Sequence, residues 1–495
     1  MRLSELKRVL RDSQEVAWPE TFGRSREFAD VEIKNIAYDS RQVKEGALFV
    51  AIEGSRYDGH DFVEEAVSRG AVAVVGERFR ETGLNFPQLV VKNSRRALAS
   101  LSAYFYRFPS RKIKVIGVTG TNGKTTSTYL LFDILRFAGF GVGLVGTICY
   151  RIGQRTLPAP VTTPESRDLQ CYLAEMVAEG LDYAVAEVSS HALDQGRVGE
   201  VNFKAAIFTN LAPEHLDYHP SLEDYCEIKA SLFRNLSSKA FACINIDDEA
   251  AGSMMEETPA KVITFGLKKG ADVSASIETV SLSGTDFLLR TPSGDALVKW
   301  GFLGKYNVYN ALGAAACAWG LELDVETIKR GLEAAEPVPG RLEKVDCGQD
   351  FTVLVDYAHT DHALRAVLSM LRKIASGRVL LVFGCGGDRD RSKRARMGRV
   401  AEELSDDFWL TSDNPRSEEP LAIIEDIRQG LSPRACYTIE PERHRAIEAA
   451  LSAARSGDIV LIAGKGHEKR QIFKDKVLPF DDRQVAQEIL ISGKL

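Results

Sequence analysis

Residues 114–135 read KVIGVTGTNGKTTSTYLLFDIL, and the architecture turns on this stretch. Val115, Ile116, Val118 and Thr119 have the β-branched character of a buried strand, and Leu130, Leu131, Ile134 and Leu135 recur on one face of a helix. Between them lie Gly120, Thr121, Asn122, Gly123, Lys124, Thr125 and Thr126. Small residues there let successive backbone N–H groups point at phosphate oxygens, and the helix N-terminus adds a favourable dipole. Lys124 can neutralise charge, and the Thr125 hydroxyl can ligate magnesium. The strict phosphate-loop pattern would have a glycine at Val118, so the match falls short by one position. A plain glycine turn between strand and helix is the alternative, and the Lys124–Thr125 pair favours triphosphate binding.

Outward from this loop, β-type runs recur at 183–188 (YAVAEV), 205–209 (AAIFT) and 242–246 (ACINI), which predicts a mostly parallel sheet. Residues 267–300 alternate like an antiparallel appendage, residues 304–321 open an alanine-rich helix, and Pro337 to Gly340 (PVPG) reads as a linker. Beyond it TVLVDY (352–357), RVLLVF (378–383), DFWLTS (407–412) and DIVLIA (458–463) each end in polar or glycine-rich residues, the edge where open α/β sheets bind ligands. Residues 1 to about 110 mix short helical and strand signals, including Ala71 to Val75, and end near Phe108 to Ser110. The expected fold is α/β in three domains. A smaller N-terminal α/β unit spans 1–110, a central P-loop parallel-sheet ATPase domain 111–338, and a Rossmann-like C-terminal domain 339–495.

A length of 495 residues suits three domains at roughly 150 residues each. Hydrophobic residues make up 44% and charged residues 27%, as in an ordinary globular protein. Sixty-three Lys and Arg against 69 Asp and Glu leave a net charge of −6, which argues against sequence-independent binding to nucleic acid. The N-terminal MRLSELKRVLRDSQE lacks the apolar core of a secretory signal, and no run approaches the ~18 apolar residues of a membrane span. A cytoplasmic location is expected. Eight scattered cysteines without a CxxC pair suggest neither a zinc site nor a disulfide framework.

Further motifs narrow the reading. DSRQVKEGALFVAIEG (39–54) precedes the loop, and EVSSHALDQGRV (187–198) and FTNLAPEHLDYH (208–219) follow it. GRLEKV (340–345), VDYAHTDHAL (355–364), FGCGGDRDRSKR (383–394), DNPR (413–416) and GKGHE (464–468) come after the linker. With TGTNGKTT, and in this order, they resemble the Mur ligases, the ATP-dependent amide-forming enzymes of peptidoglycan precursor synthesis. Within that family they are most similar to the branch that adds the third peptide residue.

The resemblance implies ATP as co-substrate and Mg²⁺ as cofactor, with UDP-N-acetylmuramoyl-L-alanyl-D-glutamate and meso-diaminopimelate as the molecules joined through an acyl phosphate. A monomer is expected. By the same resemblance Lys124, Glu187, His215, Lys229 and Arg341 serve the reaction. Thr125 and Glu187 would hold one metal, while His215 and a carbamylated Lys229 (N6-carboxylysine) would help to hold a second. Asn307, Asp356 and His359 would meet the adenosine, and Arg341 the γ-phosphate. Tyr38, Ser40, Ser55, Arg56 and Tyr57 would hold the uridine end of the acceptor, with Thr162, Thr163, Ser189, Gln195 and Arg197 contacting the rest. Val161 stands where some members carry a polar residue. Taken singly, Lys229 reads as a solvated helix lysine, Arg341 as a surface charge, and Ser189 or Thr163 as helix caps.

Asp413, Asn414, Pro415 and Arg416 project an acid, an amide and a guanidinium from a stiffened loop. Arg416 can grip the second carboxylate that distinguishes diaminopimelate from lysine, and Arg389, Gly464 and Glu468 would complete that pocket. A lysine-adding member of the family, a folylpolyglutamate-type synthetase and a non-catalytic nucleotide-binding scaffold stay open as alternatives.

Overall fold

The strand Lys114–Thr119 lies near the middle of an eleven-stranded sheet in the computed structural model, which describes residues 1–12, 30–54, 57–78, 86–215 and 218–493. Its parallel core runs Lys261–Gly266, Phe241–Asn245, Phe203–Phe208, Lys114–Thr119, Tyr183–Glu187 and Val142–Val145. These short apolar strands are buried on both faces, as parallel sheets require. One face carries the helices Lys124–Phe137 and Lys305–Gly320, and the other Ser166–Ala178 and Leu222–Arg234. The alanine-rich composition of Lys305–Gly320 has a packing reason. A Cβ on Gly313 would stand 3.2 Å from both Ile207 and Phe265, so small residues let this helix sit close on the sheet.

The expected antiparallel appendage is present as Val273–Ser281, Gly284–Thr291 and Gly294–Val298, continuous with the central sheet. The opposite edge carries an antiparallel extension that the sequence reading missed. There Cys149–Ile152 and Arg155–Pro158 form a hairpin turning at Gly153, whose φ is +57°.

The third sheet has the order Glu343–Val345, Thr352–Asp356, Ile459–Ala463, Val379–Phe383, Asp407–Leu410, Thr438–Ile439, parallel except at its first strand. Its four central strands end at Asp356, Ala463, Phe383 and Leu410, so the sequences following them converge on one edge. The N-terminal sheet has four parallel strands, Asn35–Ala37, Ala47–Val50, Ala71–Gly76 and Gln88–Val90. It is tied to the central unit by Tyr38 Oη donating to Asp168 (2.5 Å), Arg95 to Glu165 (2.8 Å) and Arg167 Nε to the Ile36 carbonyl (3.1 Å). Among the described residues no helix is long and apolar enough to cross a membrane.

Candidate active site

The strand Lys114–Thr119 delivers its chain into a loop whose shape depends on two glycines. Gly120 has φ +144° and Gly123 has φ +85°, and the helix Lys124–Phe137 starts directly after Gly123. Asn210, from the end of the neighbouring strand, holds the loop from below. Its carbonyl accepts from Thr121 N (2.8 Å) and its side-chain oxygen from Asn122 N (2.9 Å). Thr209 Oγ1 donates to the Asn122 carbonyl at 2.6 Å. A Cβ on Gly120 would stand 1.9 Å from this pinned oxygen. Gly120→Ala is therefore expected to displace the loop and weaken ATP binding by about 10-fold or more, the scale of forced backbone strain. Equilibrium binding of ATP to the folded variant measures this, and unchanged affinity would show that the loop tolerates the methyl group.

Glu187 ends its strand fully buried and is met by three donors: Thr125 Oγ1 (3.0 Å), Thr147 Oγ1 (2.9 Å) and Thr147 N (2.8 Å). Thr147 lies between Val142–Val145 and the unforeseen hairpin, so nothing local in the sequence marked it. Arg341 Nη2 donates to Thr125 Oγ1 at 3.2 Å, and its guanidinium lies 4.7 Å from the Tyr357 ring centroid. The post-linker arginine thus reaches the phosphate loop rather than the surface.

A cavity of about 520 Å³ opens on this junction. The loop residues Thr121 to Thr126 line it with Thr162, Glu187, Ser189, His215 and Lys229 from the central unit, and Asn307, Arg341, Asp356 and His359 complete the wall. Asn307 donates to the Leu303 carbonyl (2.9 Å). Asp356 accepts Leu342 N (2.7 Å) and Ala358 N (2.8 Å), and burial raises its pKa against the pull of Arg341. Burial also lowers His359 to about 4, so its ring is neutral near pH 7.

Lys229 is 1% exposed, not a solvated helix lysine. Its Nζ donates to the Gly120 carbonyl (3.0 Å) and stands 4.3 Å over the Tyr225 ring centroid. Burial, with the Lys124 ammonium second, holds its pKa well below the ordinary lysine value. Lys124 folds back onto the Gly120 and Thr121 carbonyls (2.9 and 2.7 Å), and burial draws its pKa down against the raising pull of Glu214 and Glu187. Glu214 was quoted within a motif but not singled out. Its carboxylate stands 3.7 Å from His359 and 3.9 Å from His215. Burial opposes its ionisation, yet His359, His215, Lys124 and Lys229 together hold its pKa below the usual carboxylate value. His215 itself adopts a left-handed backbone (φ +57°).

The residues expected at the acceptor's sugar and peptide form a linked group beside Glu187. Thr163 Oγ1 donates to the Glu187 carbonyl (2.8 Å), Arg197 donates to the Thr163 carbonyl (2.9 Å) and to Gln195 Oε1 (2.6 Å), and Thr162 meets Thr147 (3.1 Å). Ser189 caps the helix Ser190–Asp194, and Val161 is exposed. The uridine candidates are not brought to the cavity: Ser40 donates to Glu65 (3.0 Å), Tyr38 bonds Asp168, and Tyr57 is 73% exposed. Ser55 and Arg56 lie outside the described residues.

Past Tyr357, the carboxyl edge of the third sheet gathers the other expected group. Asn414 Nδ2 donates to Glu468 Oε2 (2.6 Å), and a Cβ on Gly464 would stand 3.0 Å from Asp413 Oδ2. Arg416, at the left-handed φ of +54°, donates through Nη1 to the Gly387 carbonyl (2.7 Å). Burial and then the nearby Arg389 guanidinium lower its pKa, so two cations face one region. The Pro415 carbonyl accepts from Glu418 N (3.1 Å), which closes a turn around Arg416 and Ser417.

A phosphate loop feeding a cavity whose far wall is the binding edge of a second α/β sheet is the arrangement of an ATP-dependent ligase. Family comparison agrees. Residues 32–106 match the Mur ligase family, catalytic domain, residues 118–318 the Mur ligase middle domain, and residues 340–466 the Mur ligase, glutamate ligase domain. The chain belongs to the Mur ligase family and is an ATP-dependent, amide-bond-forming enzyme.

A relative in Geobacillus thermodenitrificans is 45% identical over 92% of this chain and 94% of its own. One in Listeria innocua is 44% identical over 94% of this chain and 96% of its own. Both are named UDP-N-acetylmuramoyl-L-alanyl-D-glutamate--2,6-diaminopimelate ligase. A solved structure of that name is 31% identical, with a TM-score of 0.67 over 96% of this chain and 98% of that one. The MurF ligase of Thermotoga maritima in complex with ADP shares the fold, at 20% identity and a TM-score of 0.66 over 94% of this chain and 98% of that one.

Proposed function

We propose that the chain joins meso-2,6-diaminopimelate to the D-glutamate γ-carboxylate of UDP-N-acetylmuramoyl-L-alanyl-D-glutamate, releasing ADP and phosphate. The bond from Arg341 to Thr125 carries this reading. It supports the reading because a reaction passing through an activated acyl group requires the amino-acid edge, proposed in residues 339–495, to come against the triphosphate loop, proposed in residues 111–338. Residues 1–110 take the uridine end, through Tyr38, Ser40, Ser55, Arg56 and Tyr57.

In the first step a carboxylate oxygen of the acceptor attacks the γ-phosphorus and ADP leaves. Lys124 and Arg341 offset charge at the transferring group, and backbone N–H groups of residues 120–126 hold the remaining phosphates. Asn307, Asp356 and His359 hold the adenosine, while Thr162, Thr163, Ser189, Gln195 and Arg197 hold the acceptor's peptide. In the second step the amine of diaminopimelate forms the C–N bond, the amine proton is lost and phosphate departs.

Among the described residues no cluster of three His, Cys, Asp or Glu forms a ready metal cage. The hard oxygens of Thr125 and Glu187 nonetheless fit Mg²⁺, which keeps waters and shares phosphate ligands. His215 and a carbamate on Lys229 would hold a second ion, and bound Mg²⁺ would supply charge neutralisation at the phosphates. The lowering of the Lys229 pKa by burial supports this, since only an uncharged amine captures carbon dioxide.

Arg389, Asp413, Asn414, Pro415, Arg416, Gly464 and Glu468 form the amino-acid subsite. Arg416, with Arg389 beside it, suits the distal carboxylate that lysine lacks. The reading has the chain work as a monomer in the cytoplasm, where ATP is supplied.

Phosphate release tests the reading. With ATP, Mg²⁺, the UDP-linked dipeptide and meso-diaminopimelate, the wild type is expected to release phosphate. Lys124→Ala should be slower by about 10²- to 10³-fold. Release no faster than with ATP alone would refute the proposal, and turnover of a folate acceptor would favour the synthetase alternative.

A further inference from the structure

Lys465 is wholly buried (0% exposed), and the reaction as described assigns it no task. Its Nζ donates to the Arg470 carbonyl (2.7 Å), Glu468 Oε2 (3.1 Å) and Asn414 Oδ1 (3.2 Å), which uses all three ammonium protons. Asp413 Oδ1 stands 4.0 Å away. Burying an ammonium is costly unless every proton is met, and an apolar side chain could fill the same volume. Lysine adds direction.

Asn414 Oδ1 accepts from Lys465 and from Ile472 N (3.0 Å), so its amide nitrogen must turn to Glu468, where it donates at 2.6 Å. Glu468 Oε2 therefore receives two donors. The Glu468 side chain is 32% exposed, and both of these bonds fall on Oε2.

We propose that Lys465 is the positioning residue of the amino-acid subsite. It holds the Asn414 amide in one orientation and anchors Glu468 by a single oxygen, so that the second oxygen receives the ammonium group of the incoming amino acid. This rests on the assignment of that subsite to diaminopimelate.

A double-mutant cycle with Lys465→Met, Glu468→Gln and the pair tests it, with steady-state kinetics for all three substrates. Lys465→Met is expected to raise KM for meso-diaminopimelate by at least about 10-fold, the scale of a lost charge-assisted hydrogen bond. KM for ATP and for the UDP-linked dipeptide should stay near wild type. The double variant should be about as impaired as Glu468→Gln alone, because Lys465 acts through Glu468.

Effects that multiply in the double variant, or all three KM values rising together, would overturn the proposal in favour of a general structural role. If Lys465→Met does not fold, Lys465→Gln enters the same cycle under the same criteria. If the wild type uses another amino acid, the function proposed above falls, and the cycle run with that amino acid still decides the role of Lys465.

Discussion

Lys229→Ala is expected to slow ligation by about 10³-fold or more, the scale of removing a preorganised charged group from a transferring phosphoryl centre. The side chain lies at 1% exposure beside the phosphate loop, with its nitrogen 3.0 Å from the Gly120 carbonyl. Burial and Lys124 both disfavour its ammonium form. A neutral amine in that position can add carbon dioxide, which turns a site that rejects a cation into one that presents an anion to metal. Short carboxylates such as formate or acetate should therefore restore part of the activity of Lys229→Ala, while alkylamines should not. Rescue by an alkylamine alone, or activity within about 10-fold of wild type, would show that lysine acts unmodified. The phosphate-release assay, run with each additive, separates these outcomes.

Arg416→Ala should lower kcat/KM for meso-diaminopimelate by about 10²- to 10³-fold, as when one partner of a buried charge-assisted pair is removed. The rate with lysine should change little. Arg416 donates to the Gly387 carbonyl, which aims the guanidinium; burial and the Arg389 cation disfavour its charge, and Asp413, Glu468 and Asp388 offset only part of that, since its pKa stays below the ordinary arginine value. A carboxylate relieves that repulsion, whereas lysine's distal ammonium would add to it. Competition between meso-diaminopimelate and lysine, for wild type and variant, measures the difference. Equal loss with both amino acids would mean that Arg416 supports the loop rather than selecting the substrate.

The phosphate loop was legible in the sequence because all its requirements are local. Two glycines permit positive φ, and Lys124 and Thr125 follow them at the head of a helix with one apolar face. The parallel strands were legible too, since strands buried on both faces read as short apolar runs. The hairpin Cys149–Ile152 with Arg155–Pro158 was not, and with it Thr147 was missed, although Thr147 supplies two of the three bonds to Glu187. An isolated threonine in a turn has no pattern to mark it. Glu214 sat in plain view beside His215, but only the folded chain brings His359 to its other side.

What the sequence determined by itself was therefore the chemistry available: a triphosphate loop, a set of apolar strands and a series of polar strand ends. Only the tertiary structure decided where the charges went. Residue-by-residue reading places lysines and arginines in water, because solvation is their usual lowest free energy. Lys229, Arg341 and Lys465 depart from that rule. Their costs of desolvation are offset by carbonyls, carboxylates and a hydroxyl from segments up to 216 residues away, as in the contact from Arg341 to Thr125. For Lys229 and Arg341 no local window of sequence contains both partners, and for Lys465 the window that holds Glu468 and Arg470 lacks Asn414.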